Sequence, residues 1–128
     1  MADTVLLVDD SRTARMQLRA PLEAAGFAVL EAGSGVEGLT LVSGLKERLS
    51  LIISDQNMPN KTGSEMVRDI RKLSGNPNAD CAVIFLTSDS SVELREEFMS
   101  LKAKAVVLKP VNPANLVVAV KKILTKAS

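Results

Sequence analysis

The chain has 128 residues, 46% hydrophobic and 24% charged, enough for one domain with a closed core and too few for two. Sixteen Lys and Arg against fifteen Asp and Glu leave a net charge of +1, so the basic surplus that favours nucleic acid or an anionic membrane is missing, and without Trp or Tyr so are base-stacking platforms. With no histidine and one cysteine, there is no Ser-His or Cys-His nucleophile pair, imidazole ligand, internal disulfide or thiolate zinc site.

No repeat, low-complexity tract or linker divides the sequence, and residues 1–128 are expected to form a single domain. The first residues lack a basic flank and a long apolar run, and no apolar stretch reaches bilayer length, which sets the expectation of a cytoplasmic protein in a reducing compartment.

The first apolar run, Thr4 to Val8, leads directly into Asp9, Asp10 and Ser11. Beyond it Ala14, Leu18, Leu22 and Ala25 share one helical face, opposite Arg12, Arg15, Arg19 and Glu23. Pro21 falls inside this pattern, removes a hydrogen bond to the Gln17 carbonyl and should kink the helix. A second run, Phe27 to Leu30, precedes Ser34 and Glu37, which read as a capping box opening a helix through Val36, Leu39 and Val42.

The third run, Leu51 to Ile53, passes through Ser54 into Asp55, and Met66, Val67, Ile70 and Leu73 mark the next helix. Ala82 to Leu86 ends on Thr87 and Ser88, followed by a helical pattern on Leu94, Phe98 and Leu101. Ala105 to Leu108 ends on Lys109; Asn112 then caps a last helix with Pro113 in its first turn and Leu116, Val120 and Ile123 on one face. The runs are continuous rather than alternating, which suits strands buried on both faces. Five alternations of strand and helix indicate an α/β fold with a parallel sheet.

In such a sheet the carboxyl ends of all strands emerge on one rim, where ligands bind at the point of reversed strand order. If the order is 2-1-3-4-5, the first and third strands are neighbours and Asp9, Asp10 and Asp55 converge. Three carboxylates so close repel one another. Lys109 offers one relief and a hard divalent cation the other. Oxygen-only ligation with few carboxylates describes magnesium (Mg2+), with Mn2+ as a substitute. A metal held this way leaves positions for a phosphoryl oxygen, with Lys109 as a second clamp. Each piece also has a plain reading: Asp9 and Asp10 as a helix cap, Asp55 to Pro59 as turn chemistry, Thr87 and Ser88 as caps of the fourth helix, Lys109 as a snorkelling charge. Their shared position at the same end of the strands favours a site.

The stretches Val5 to Ser11 (V-L-L-V-D-D-S), Ile52 to Pro59 (I-I-S-D-Q-N-M-P) with Gly63 beyond, Phe85 to Ser88 (F-L-T-S) and Val107 to Pro110 (V-L-K-P) occur in order and at family spacing. In them the whole chain resembles the receiver domains of bacterial two-component response regulators, the CheY-like family. The resemblance implies a doubly wound five-stranded parallel sheet of order 2-1-3-4-5 in a flavodoxin-like, three-layer sandwich. It implies that Asp55 is the phosphoacceptor, Asp10 a direct magnesium ligand, Asp9 the acidic neighbour that helps hold the metal, and Asn57 a backbone-carbonyl ligand. Thr87 matches the hydroxyl that grips the phosphoryl group, Lys109 its salt-bridge partner, and the Lys109–Pro110 peptide would be cis.

The implied donor is a phosphohistidine on a histidine kinase or phosphotransfer protein. The chain would catalyse its own phosphorylation and hydrolysis without being an enzyme in the turnover sense. With no residues after the fifth helical stretch for a DNA-binding module, the expectation is a stand-alone receiver, monomeric or dimerising on phosphorylation, that signals by protein contact. A phosphate sink or phosphorelay intermediate is the alternative.

Some positions depart from the family pattern. Val106 stands where an aromatic usually turns behind the threonine, so loop shifts, or Phe98 or Met99, would have to report instead. Lys102 replaces a common glycine, so the loop there is expected to differ. Asn57 and Asp89, small and polar, should admit water and shorten the phosphoryl lifetime. Cys81 reads as a small core or edge residue and Lys61 as a solvated loop charge. Arg95, Lys102 and Lys104 read as a solvated basic cluster more than a docking site. Two other classes fit less well. A flavin carrier wants a Ser/Thr/Gly-rich first loop and aromatic rings, and an aspartate-nucleophile phosphohydrolase wants two aspartates one residue apart after the first strand.

Overall fold

The computed structural model describes residues 3–127. Strands and helices alternate: β1 (Thr4–Val8), α1 (Arg12–Ala24), β2 (Ala28–Ala32), α2 (Gly35–Gly44), β3 (Leu51–Asp55), α3 (Gly63–Arg71), β4 (Val83–Thr87), α4 (Val92–Ser100), β5 (Ala105–Leu108) and α5 (Pro113–Ala127). All pairings are parallel and the order is β2-β1-β3-β4-β5, the doubly wound arrangement expected from the resemblance.

Alternation of side chains along each strand divides the core in two. Val5, Leu7, Ile53, Ile84 and Leu86 pack with Leu18 and Leu22 of α1 and Leu116 and Val120 of α5. Leu6, Val8, Ile52, Val83 and Phe85 pack with Val42 of α2, Met66, Val67 and Ile70 of α3, and Phe98 of α4. Full burial of each such leucine, isoleucine or phenylalanine contributes about 1.5–3 kcal/mol before ordering costs. Only the three inner strands match the expectation of burial on both faces. Leu30 of β2 is 36% exposed and Leu108 of β5 is 49% exposed, because an edge strand has a neighbour on one side only.

Local chemistry sets the helix ends, and here some expectations change. Ser34 accepts from Glu37 N at 3.0 Å, but the Glu37 carboxylate reaches past the cap to Gly33 N at 2.9 Å, so the reciprocal box is not formed. A complete box sits instead on α3, where Thr62 and Glu65 exchange backbone and side-chain bonds. α4 is capped by Ser91 rather than by Thr87 or Ser88. Asn112 accepts from Asn115 N at 3.1 Å, as expected of its cap. α1 continues through Pro21 to Ala24. Lys102 has a φ of 63°, so the loop keeps the left-handed conformation that a glycine would take freely.

Candidate phosphoryl-transfer site

β1 and β3 are paired with Val8 opposite Ser54, so the next residues, Asp9 and Asp55, leave adjacent strands at the same level. Each is 3% exposed, whereas Asp10 is exposed. One carboxylate oxygen from each of Asp9, Asp10 and Asp55 lies within 4.8 Å of the other two. From the far side of β4, Lys109 reaches across and sets its Nζ 2.7 Å from Asp55 Oδ1. Its backbone is fixed by a bond from Lys109 N to Thr87 O at 2.9 Å, and the Lys109–Pro110 peptide is cis.

The electrostatics follow from this crowding. Burial raises the Asp9 carboxyl above its ordinary pKa. Asp55 and Asp10 push it further up, against the Ser11 backbone N–H and Lys109, which favour its charge. Asp55 Oδ1 is buried and, among the described residues, has the ion pair with Lys109 but no hydrogen bond of ordinary geometry. An all-oxygen donor set, a buried acceptor without a hydrogen bond and a carboxyl whose ionisation burial opposes together fit a hard divalent cation of the magnesium class.

The other expected residues border this cluster. Thr87 is fully buried, and its Oγ1 accepts from Asp89 N at 3.0 Å; its own proton has only a 3.4 Å contact to Asp89 O. Asn57 is exposed, two residues beyond Asp55 on the loop to α3. Asp89 is exposed and gives one carboxylate oxygen to Ser91 N at 2.8 Å, tying it to the α4 cap. Val106, half-buried, packs beside the cluster that holds Phe85 and Phe98. Those two rings stack with centroids 4.2 Å apart and planes at 16°, so of the two α4 candidates Phe98 is buried behind β4 while Met99 is 62% exposed. Lys61 differs from the solvated charge expected: half-buried, its Nζ lies 2.5 Å from Asp69 Oδ2. Cys81 is buried as expected, with its thiol pushed up to about 11 by desolvation.

Three further residues support the site without a role assigned to them above, although Gln56 and Gly63 stand in the matched stretches. Gln56 is buried and clamps Ser64 at both ends of its amide, accepting from Ser64 N at 2.8 Å and donating to Ser64 Oγ at 2.9 Å, which joins the loop after Asp55 to α3. Gly63 faces the Asp55 carbonyl so closely that a Cβ would lie 2.4 Å from that oxygen, so only glycine fits. Arg15, read above as one charge on a polar face, donates from Nη1 to the Asp9 carbonyl at 2.5 Å and from Nε to Glu31 at 2.8 Å. The carboxylates, Thr87 and Lys109 are the candidate reacting groups; these three residues hold the backbone around them.

The sequence profile of the response regulator receiver domain matches residues 5–121. Transcriptional regulatory protein ResD of Bacillus subtilis is 32% identical over 97% of this chain and 49% of its own length; sensor protein EvgS of Escherichia coli is 33% identical over 84% of this chain and 8% of its own. The chain thus spans half or less of these curated relatives. Chemotaxis protein CheY4 of Vibrio cholerae superposes with a TM-score of 0.85 at 33% identity, covering 96% of this chain and 99% of that one. A CheY-like receiver domain from Methanospirillum hungatei gives 0.85 at 28% identity, covering 98% and 96%. Among the described residues no helix is long and apolar enough to cross a membrane. In sequence, fold and the carboxylate rim at its strand ends, the chain belongs to the receiver domains of two-component response regulators, which signal through phosphorylation by histidine kinases.

Proposed function

We propose that Asp55 accepts a phosphoryl group from a phosphohistidine of a partner histidine kinase or phosphotransfer protein, in a magnesium-dependent reaction, and later loses it by hydrolysis. The observation that carries this reading is the buried Asp55 carboxylate, paired at 2.7 Å with Lys109 Nζ and facing the oxygens of Asp9 and Asp10 within 4.8 Å. Asp10, Asp9, Asp55 and the Asn57 backbone carbonyl would hold the ion, which when bound neutralises negative charge on both reactants.

The remaining work falls to the chain itself. An Asp55 oxygen forms the new O–P bond while the donor's P–N bond breaks and its electron pair returns to the ring nitrogen. Lys109 already lies beside that carboxylate and offsets the repulsion between two anions. The Thr87 hydroxyl, whose oxygen is held by Asp89 N while its proton is weakly engaged, can turn that proton to a phosphoryl oxygen. In a separate second step water attacks phosphorus, the bond between phosphorus and the Asp55 oxygen breaks with its electron pair returning to the carboxylate, and inorganic phosphate leaves. Self-phosphorylation and self-hydrolysis are then the domain's whole chemistry, and its output is phosphorylation-dependent protein contact.

Incubation with acetyl phosphate and magnesium, read by intact mass, should add one phosphoryl group. The adduct should vanish with a chelator and in Asp55→Asn. An adduct retained by Asp55→Asn, or formed equally well without the metal, would overturn the assignment.

A further inference from the structure

We propose that Arg15 is a positioning residue of the acidic site: anchored on Glu31 of β2, its guanidinium holds the Asp9 carbonyl, fixes the Asp9–Asp10 peptide and so aims the Asp10 carboxylate at a divalent cation. The inference rests on the metal-dependent reading above and adds to it a residue outside the carboxylate cluster.

Asp9 is fixed at three atoms. Its N–H donates to Ala32 O at 3.1 Å, its Oδ1 accepts from Ser11 N at 2.8 Å, and its carbonyl accepts from Arg15 Nη1 at 2.5 Å. The first two bonds set the strand exit and the Asp9 side chain. The third sets the plane of the peptide that leads into Asp10, and with it the direction of an exposed carboxylate whose oxygens, among the described residues, have no hydrogen-bond or ion-pair anchor of their own. Holding a carbonyl and a carboxylate at once suits a planar fork of donors and not a single ammonium. Glu31 in turn is held by both Arg15 and Arg19, so the arm that reaches Asp9 is braced from α1 and β2 together. The Arg15 side chain is only 16% exposed, so it is an ordered strut rather than a surface charge.

Charge and position predict opposite signs, and this makes the idea testable. Removing a cation near a dication site favours the dication by simple repulsion. Losing the strut weakens its binding instead. Magnesium titrations by calorimetry should therefore give a dissociation constant about tenfold higher for Arg15→Gln, the range typical of groups that orient metal ligands. Arg15→Lys keeps the charge but loses the fork, and should shift in the same direction by less. Leu22→Ala, a fully buried core site further along the same helix and away from the cavity that borders Asp9, destabilises the fold and should leave the affinity unchanged.

Unchanged or tighter binding in both Arg15 variants, with uptake abolished in Asp10→Asn, would overturn the role of Arg15 and leave the metal site standing. So would a loss in Leu22→Ala equal to that in Arg15→Gln. Absence of magnesium uptake in the wild type would instead remove the metal-dependent reading itself. If Arg15→Gln does not fold, Arg15→Lys carries the comparison.

Discussion

The two rims of the sheet treat their polar groups in opposite ways. At the amino-terminal rim, Asn78 is fully buried and nearly saturated: it accepts from Leu49 N at 2.7 Å and donates to Glu47 O at 2.9 Å. Arg71, beside it, donates to the carbonyls of Ala79, Cys81 and Leu101. At the carboxyl-terminal rim, Asp9 and Asp55 are as deeply buried but crowd like charges together, with Asp55 Oδ1 lacking an ordinary hydrogen bond. One rim spends its polar groups on closing loops. The other leaves the buried Asp55 Oδ1 without an ordinary hydrogen bond, which costs stability and, under the proposed function, keeps that oxygen for a cation and a phosphoryl group.

That contrast can be broken at either rim. The largest effect is expected from Lys109→Met, which should slow phosphorylation by acetyl phosphate about a hundredfold or more while far-UV circular dichroism stays native. An undiminished rate would mean that the 2.7 Å pair with Asp55 plays no part in the chemistry. At the opposite rim, Asn78→Ala strands the Leu49 N–H and the Glu47 carbonyl and should cost about 2–3 kcal/mol in urea unfolding. The extent of phosphorylation of the folded variant should not change; a parallel loss of both would erase the division of labour.

The smallest effect sharpens the electrostatic side. Because the folded Asp9 carboxyl lies above its unfolded value of 3.8, its contribution to stability is greatest below that value and is lost as pH rises through the raised folded value. In metal-free buffer at neutral pH, Asp9→Asn should therefore raise the melting temperature by a few degrees, and the gain should shrink as pH falls towards 3.8. With magnesium present the wild type should recover the advantage. A lower melting temperature for Asp9→Asn under both conditions would show that hydrogen bonding by Asp9, such as that from Ser11 N, outweighs its charge penalty.

Much of this was legible before any coordinates. Short apolar runs separated by helical spacing gave all five strand–helix pairs, because burial on a strand or a helix face is written in local periodicity. The candidate site residues were legible as a set because they follow those runs directly: Asp9, Asp10, Asp55, Thr87 and Lys109 each lie at a strand end. Cap chemistry was less secure. Ser34 and Thr62 both stand three residues before a glutamate, yet only Thr62 forms the reciprocal pair, since the Glu37 carboxylate finds Gly33 N instead. The resemblance supplied the strand order, which local pattern does not encode.

What the sequence determined by itself was therefore the list of elements and the chemistry available at their ends. The tertiary structure decided which ends meet: Asp9 beside Asp55 through the β1–β3 pairing, Lys109 across to Asp55, Phe98 onto Phe85, Arg15 onto the Asp9 carbonyl. Periodicity records whether a residue faces the core, a property of its own segment. Neighbours from distant segments are chosen only when whole faces pack, and one register or one side-chain reach then selects a partner from many chemically equivalent ones.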